Sequence, residues 1–144
     1  MKSIADVNVL LPILCGGHPA QAAALAWFDE QPPQSVGWCL LTKLAILRHL
    51  TNPKIMGSDM QTAAQALAVW DLLANDERMM EICAIPHFHE RLFRSFASAK
   101  KSHPNIWADA WLAALADTLD REMVTFDQGF CDFPLTHLRL LKLS

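Results

Sequence analysis

The stretch Asn105-Ile106-Trp107-Ala108-Asp109-Ala110-Trp111-Leu112-Ala113-Ala114-Leu115-Ala116, followed by Glu122-Met123-Val124-Thr125-Phe126-Asp127-Gln128-Gly129-Phe130, decides the reading of this chain. Its first part reads as an apolar helix that carries one carboxylate, Asp109, near its start. The second reads as a short strand that delivers another, Asp127, at its C-terminal end. Both acids stand among apolar neighbours and are expected at the edge of a core, where an unpaired charge costs several kcal/mol. A metal ion is one way of pairing them.

Upstream of that stretch, strands alternate with longer helices. Ser3-Ile4-Ala5 reads as a short buried strand ending near Asp6, and Val7 to Leu11 as the opening of a helix. Ala20 to Gln31 has apolar residues at helical spacing and is stopped by Pro32 and Pro33. Val36-Gly37-Trp38 reads as a second strand, with a helix over Leu40 to Leu50 that Asn52-Pro53 terminates. Ser58 and Gln61 have the spacing of a capping box opening a helix that runs to about Ala74. Met79 to Ile85 is a third strand whose central Glu81 needs an exposed side or an edge position. Pro86 suits the first turn of a helix to about Ser98, and Leu138 to Leu143 is a final edge strand. This alternation predicts an α/β fold with a central, mainly parallel sheet covered by helices on both faces. In such sheets functional groups gather beyond the C-terminal ends of the strands, where Asp6 and Asp127 fall.

With 144 residues, the chain is expected to form a single domain spanning 1–144 with a core that needs no disulfide. A net charge of −3 argues against nucleic-acid binding through bulk positive charge, leaving room for a local basic patch. Cys15, Cys39, Cys83 and Cys131 are widely spaced, form no Cys-x-x-Cys pair, and read as reduced residues of a cytoplasmic protein. Asp6 and Asn8 interrupt the apolar opening as a signal peptide would not, and no apolar run is long enough to span a membrane. Three carboxylates from distant segments, Asp6, Asp109 and Asp127, then form a hard oxygen donor set suited to Mg²⁺ or Mn²⁺.

The ordered set Asp6-x-Asn8-x-Leu10-Leu11, Asp109-Ala110-Trp111-Leu112-Ala113-Ala114 and Thr125-Phe126-Asp127-Gln128-Gly129-Phe130 resembles the motifs of the PIN-domain ribonucleases. The block Leu47-Arg48-His49-Leu50-Thr51-Asn52-Pro53 is similar to the VapC toxins of bacterial type II toxin-antitoxin systems within that family. The resemblance implies a three-layer α/β/α PIN-like fold and a Mg²⁺- or Mn²⁺-dependent endoribonuclease. It also implies an RNA substrate, silencing by a cognate antitoxin, and a homodimer. By position, Asp6, Asp109 and Asp127 match the metal-binding, catalytic acids, and Asn8 and Thr125 the polar residues flanking them. The departure is Lys43, in Thr42-Lys43-Leu44, where the family commonly has an acid. An inward-pointing Lys43 ammonium would pair with one of the acids and leave a site for a single, more weakly held ion; an outward one would simply be solvated.

Among the basic residues, Arg91 and Arg94 share a helix face, and Lys100 and Lys101 follow in the next loop. They are the candidate phosphate contacts, set against the plainer reading of a solvated face. Trp107 and Trp111, four apart, read as core or interface anchors rather than stacking platforms. His87 and His89 read as surface or helix-start residues, and Asp117 as a solvated or helix-end charge. Besides an active nuclease, the sequence leaves room for a catalytically degenerate domain that binds RNA or an antitoxin without cleaving. A phosphoryl-accepting switch domain fits poorly, because Asp6 is followed by Val7 rather than a second acid. No Gly-x-Gly-x-x-Gly or Walker pattern is present.

Overall fold

The computed structural model describes residues 1–143. Five short strands form one sheet in the order β3-β2-β1-β4-β5, with every adjacent pair parallel. The strands are β1 (Ser3–Ala5), β2 (Val36–Trp38), β3 (Met79–Glu81), β4 (Glu122–Thr125) and β5 (Leu138–Leu140). Between them run α1 (Val7–Leu14), α2 (Gln21–Asp29), α3 (Leu40–Leu50), the single turn α4 (Pro53–Met56), α5 (Ala63–Ala74), α6 (His89–Ala99) and α7 (Ile106–Thr118). The first strand of the chain is the central one, with Ser3 level with both Val36 and Glu122.

The pleat sorts the side chains into two cores, because successive residues of a strand point to opposite faces. Ala5 and Val124 face the side packed by Leu10, Trp27, Phe28, Ile46, Leu50 and Trp70 from α1, α2, α3 and α5. Ile4 and Met123, their chain neighbours, face the opposite side with Phe96, Ile106, Ala113, Leu115 and Phe130. Three layers, α/β/α, follow from that division. Small residues along α7 let it lie close against α6 and the sheet, since Ala110, Ala113, Ala114 and Ala116 are fully buried. No helix among the described residues is long and apolar enough to cross a membrane.

Several local expectations shift by a few residues. The capping box is built by Thr62 and Gln65, not by Ser58 and Gln61: Gln65 N–H donates to Thr62 Oγ1 at 3.2 Å and Thr62 N–H to Gln65 Oε1 at 2.9 Å. Gly57–Asp59 is instead a 3₁₀ turn. β3 ends at Glu81, on the sheet edge with its side chain exposed, and after Ile82 N–H donates to Trp38 O the chain leaves the ladder. Pro86 sits in a turn, and the helix after it begins only at His89. β5 is an edge strand as expected but stops at Leu140. His89 departs most from its reading: it is buried, with Nε2 at 2.9 Å from Trp111 O, tying α6 to α7.

Candidate active site

Asp6 follows β1 directly and caps α1, so strand end and helix start share one carboxylate. Its Oδ1 accepts from Val7 N–H at 2.7 Å and its Oδ2 from Thr125 Oγ1 at 2.8 Å. The Thr125 hydroxyl has one proton to give, and Asp6 is closer to it than Asn8 Oδ1, at 3.3 Å. Its oxygen accepts in turn from Asn8 Nδ2 at 3.1 Å and from Asp127 N–H at 3.0 Å. Asn8 Oδ1 accepts from Phe126 N–H at 3.1 Å. Two motifs at opposite ends of the chain are thereby laced together behind the acids, because β1 and β4 are neighbours in the sheet.

The three acids form a gradient from floor to rim. Asp6 is buried, Asp109 on the first turn of α7 is half-buried, and Asp127 is exposed, the last departing from the expectation that it sits at a core edge. Asp127 Oδ1 accepts from Gly129 N–H at 2.8 Å, capping the turn that follows β4. Burial pushes the Asp6 carboxyl up to about 6, against the pull of its bonds from Thr125 and Val7, and the charges of Asp109 and Asp127 add to the rise. Asp109 is likewise pushed up to about 6, by burial and then by Asp127, with the Lys100 ammonium opposing. Neither Asp6 nor Asp109 has an ion-pair partner among the described residues.

The acids face a cleft of about 830 Å³. Its opposite wall is α3, which presents Leu41, Thr42, Ala45, Arg48 and His49, a stripe at helical spacing. Lys43 is not on that stripe, does not line the cleft, and forms no ion pair among the described residues. α3 thus offers the cleft no carboxylate, and its cation there is Arg48, exposed and without an ion pair among the described residues. His18 and His49 also line it. His18 Nδ1 accepts from Ala20 N–H at 3.0 Å, so its Nε2–H is left as a donor. His49 Nδ1 lies 2.7 Å from Ala45 O, which can only accept, so the proton is on Nδ1 and Nε2 is left free.

Of the basic residues expected to contact phosphate, only Lys100 lies at the acids. Its Nζ donates to Gly129 O at 2.9 Å, sits 3.9 Å from Asp132 and lies 4.9 Å from the centre of the Phe133 ring. Arg94 is paired with Glu90 along α6 at 2.9 Å, Arg91 lines a separate hollow, and Lys101 is exposed and outside the cleft. Arg48, His18 and His49 were missed as site residues, although the i, i+3, i+7 relation of Thr42, Ala45 and His49 on α3 is a usable signal for that face. Asp117 is structural: its Oδ1 accepts from Thr136 N–H at 2.8 Å and steadies the approach to β5.

The donor chemistry suits a hard cation, though not as a closed cage. Among the described residues no three Asp, Glu, His or Cys side chains converge into a ready ligand set. Mg²⁺ does not need one: it keeps several waters and is commonly held by one or two carboxylates. Asp6 and Asp109, which line one cleft with the Asp109 charge felt at Asp6 and lack an ion pair among the described residues, match that requirement.

Residues 4–134 match the PIN domain family. Over 142 residues the chain is 34% identical to Ribonuclease VapC41 of Mycobacterium tuberculosis, covering 96% of this chain and 97% of that one. It is 30% identical over 133 residues to Ribonuclease VapC44 of the same organism, covering 90% and 88%. Among solved structures, VapC20 of M. tuberculosis, described as a sarcin-ricin loop cleaving toxin, superposes with a TM-score of 0.66 at 14% identity over 96% of this chain and 99% of that one. VapBC2 from Rickettsia felis, bound to a fragment of promoter DNA, gives 0.68 at 12% identity over 99% and 100%. At those identities the likeness is one of fold.

Proposed function

The chain belongs to the PIN-domain family, and on that footing we propose that it is an endoribonuclease of the VapC type, dependent on Mg²⁺ or Mn²⁺ and acting as the toxin of a toxin-antitoxin pair. The observation that carries the reading is the pair Asp6 and Asp109, lining one cleft with Arg48 and lacking an ion-pair partner among the described residues. Asp6 is held by hydrogen bonds from Val7 and Thr125, yet burial still pushes both carboxyls up to about 6, a cost that a bound cation would offset. The relatives at 30% identity or more, named as ribonucleases, support it.

In this reading Asp6 and Asp109 hold the cation, with Asp127 adding negative charge at the rim. Once bound, such an ion makes a water more nucleophilic and offsets charge on the phosphate. The chain's own residues do the rest. Asn8 and Thr125 fix the Asp6 carboxylate, and Arg48 meets the phosphate from the facing wall. His18 Nε2–H and His49 Nε2 offer a donor and an acceptor beside it. Hydrolysis joins a water oxygen to phosphorus, breaks one bridging P–O bond, and returns a proton to the departing sugar oxygen.

The non-cleaving alternative drew its support from Lys43, which lies off the cleft. Exposed Leu40 and Leu44 on α3 and Leu72 on α5 are large apolar groups of the kind buried by a partner, consistent with an antitoxin or a second copy. A cytoplasmic location goes with the RNA substrate. The test is cleavage of a labelled RNA by purified wild type and Asp6→Asn with Mg²⁺, Mn²⁺ or EDTA, alongside growth of cells expressing each without an antitoxin. Cutting and arrest confined to the metal-loaded wild type are expected; equal RNA integrity and growth with both proteins would overturn the reading.

A further inference from the structure

Trp107 is 61% exposed, whereas Trp27, Trp38 and Trp70 are buried and Trp111 packs its ring against His89, 4.7 Å between centres. An indole that open is unusual, and its place is specific. Trp107 lines the acid cleft beside Asp109 and also a second hollow lined by Phe93, Arg94, Ser98 and Ser102. It is therefore the ridge between the two. The far side of that ridge carries the Arg94 guanidinium and the Ser102 hydroxyl, donors that a phosphate can accept from, while Ser98 Oγ gives its proton to Arg94 O at 2.8 Å. Among the described residues the Arg94 guanidinium is engaged only by Glu90, which lines the same hollow, through an exposed pair four residues apart on one helix, and such pairs are weak and readily exchanged. On the near side stand Arg48, His18 and His49. Phe93 lies 6.3 Å from the Trp107 ring, tilted at 58°, bracing its inner edge while leaving the indole largely open.

We propose that Trp107 is a base-stacking platform dividing a two-part track. One phosphate of an extended RNA strand lies in the acid cleft, the adjoining base stacks on the indole, and the next phosphate falls beside Arg94, Ser98 and Ser102. The inference rests on the ribonuclease reading and adds to it the form of the substrate at this point: an unpaired nucleotide, since a base held in a duplex has no free face to offer. Trp107 acts as a positioning residue, because stacking orients the strand and leaves the phosphodiester chemistry to the acids.

The test is binding of a short fluorescein-labelled single-stranded RNA, and of the same sequence as a duplex, to the full chain in EDTA, where cleavage is absent. Trp107→Ala should weaken single-strand binding by about tenfold or more, the size of one base–aromatic stack, and Trp107→Phe should restore most of it. Trp107→Leu should not. Duplex binding should be unchanged in all three, and indole fluorescence of wild type should be quenched by the single strand. Equal single-strand affinity of wild type and Trp107→Ala, or equal rescue by Leu and Phe, overturns the platform while leaving cleavage by wild type intact. A fall in molecular mass of Trp107→Ala in sedimentation shows a subunit contact and overturns it too. Failure of wild type both to bind and, with Mn²⁺, to cut RNA overturns the ribonuclease reading itself and the platform with it.

Discussion

Thr125 Oγ1 donates to Asp6 Oδ2 at 2.8 Å across 119 residues of chain, and the same oxygen accepts from Asn8 Nδ2 and Asp127 N–H. One buried hydroxyl therefore holds three elements of the acid site in register. Thr125→Val conserves shape and removes all of this, stranding a carboxylate oxygen and two donors. A stability loss of about 1–3 kcal/mol is expected in urea denaturation. Because the Thr125 bond is one of the influences pulling the Asp6 carboxyl down, the acid limb of a pH–rate profile for RNA cleavage should move to higher pH. Thr125→Ser should keep both near wild type.

The metal-free protein should lose stability as pH rises from about 4 to about 6. Asp6 has an ordinary value of 3.8 and a folded value of about 6. Between the two, the folded chain binds more protons than the unfolded one, so raising the pH favours unfolding. Below 3.8 Asp6 is protonated in both states and the penalty is absent; above 6 it is complete. For Asp6 alone the difference is on the order of 3 kcal/mol. Urea denaturation of wild type and Asp6→Asn at pH 4.5 and 7 in EDTA checks this, with Asp6→Asn gaining relative to wild type at the higher pH.

Lys43→Glu should leave Mn²⁺ affinity within about twofold of wild type, measured by calorimetry, since Lys43 is off the cleft-facing stripe of α3 and solvent screens a charge placed there. Lys100 behaves differently. Its ammonium opposes the rise of the Asp109 carboxyl, so Lys100→Met should move the acid limb of the cleavage profile to higher pH.

Gly37→Ala should destabilise the sheet by about 1–3 kcal/mol, read as a lower urea midpoint. A Cβ on Gly37 would lie 2.6 Å from Ile82 Cδ1 and 2.9 Å from the backbone oxygen of Ser3. The isoleucine tip can swing away, but the Ser3 carbonyl belongs to β1 and cannot move without the sheet.

The sheet class, the order of strands and helices, and the meeting of Asp6 and Asp127 at one edge of the sheet could be read from the residues because they depend on periodicity and on the rule that parallel strands end at one edge; Asp109, on the first turn of α7, lines the same cleft. Helix starts could not. Ser58–Gln61 and Thr62–Gln65 have equal claims on paper, and Pro53 with the Gly57 turn decides between them by using up residues 53–59. The amine near the acids was sought at Lys43 by position along the sequence. The one the fold supplies is Lys100, carried in by the loop before α7 and held by Gly129 O. His89 illustrates the remaining gap: a polar ring looks like surface until the Trp111 carbonyl that satisfies it is known.

The central place of β1 has a consequence for how the protein is made. Asp6 and Asn8 leave the ribosome early, yet the hydroxyl that fixes them emerges only with residues 122–125, after Asp109 itself. A growing chain, or a message broken upstream of that point, yields a polypeptide without β4, in which Asp6 has lost the Thr125 hydroxyl and keeps only the Val7 N–H. On the ribonuclease reading, the site is therefore expected to be assembled only after synthesis has passed β4, near the end of the chain.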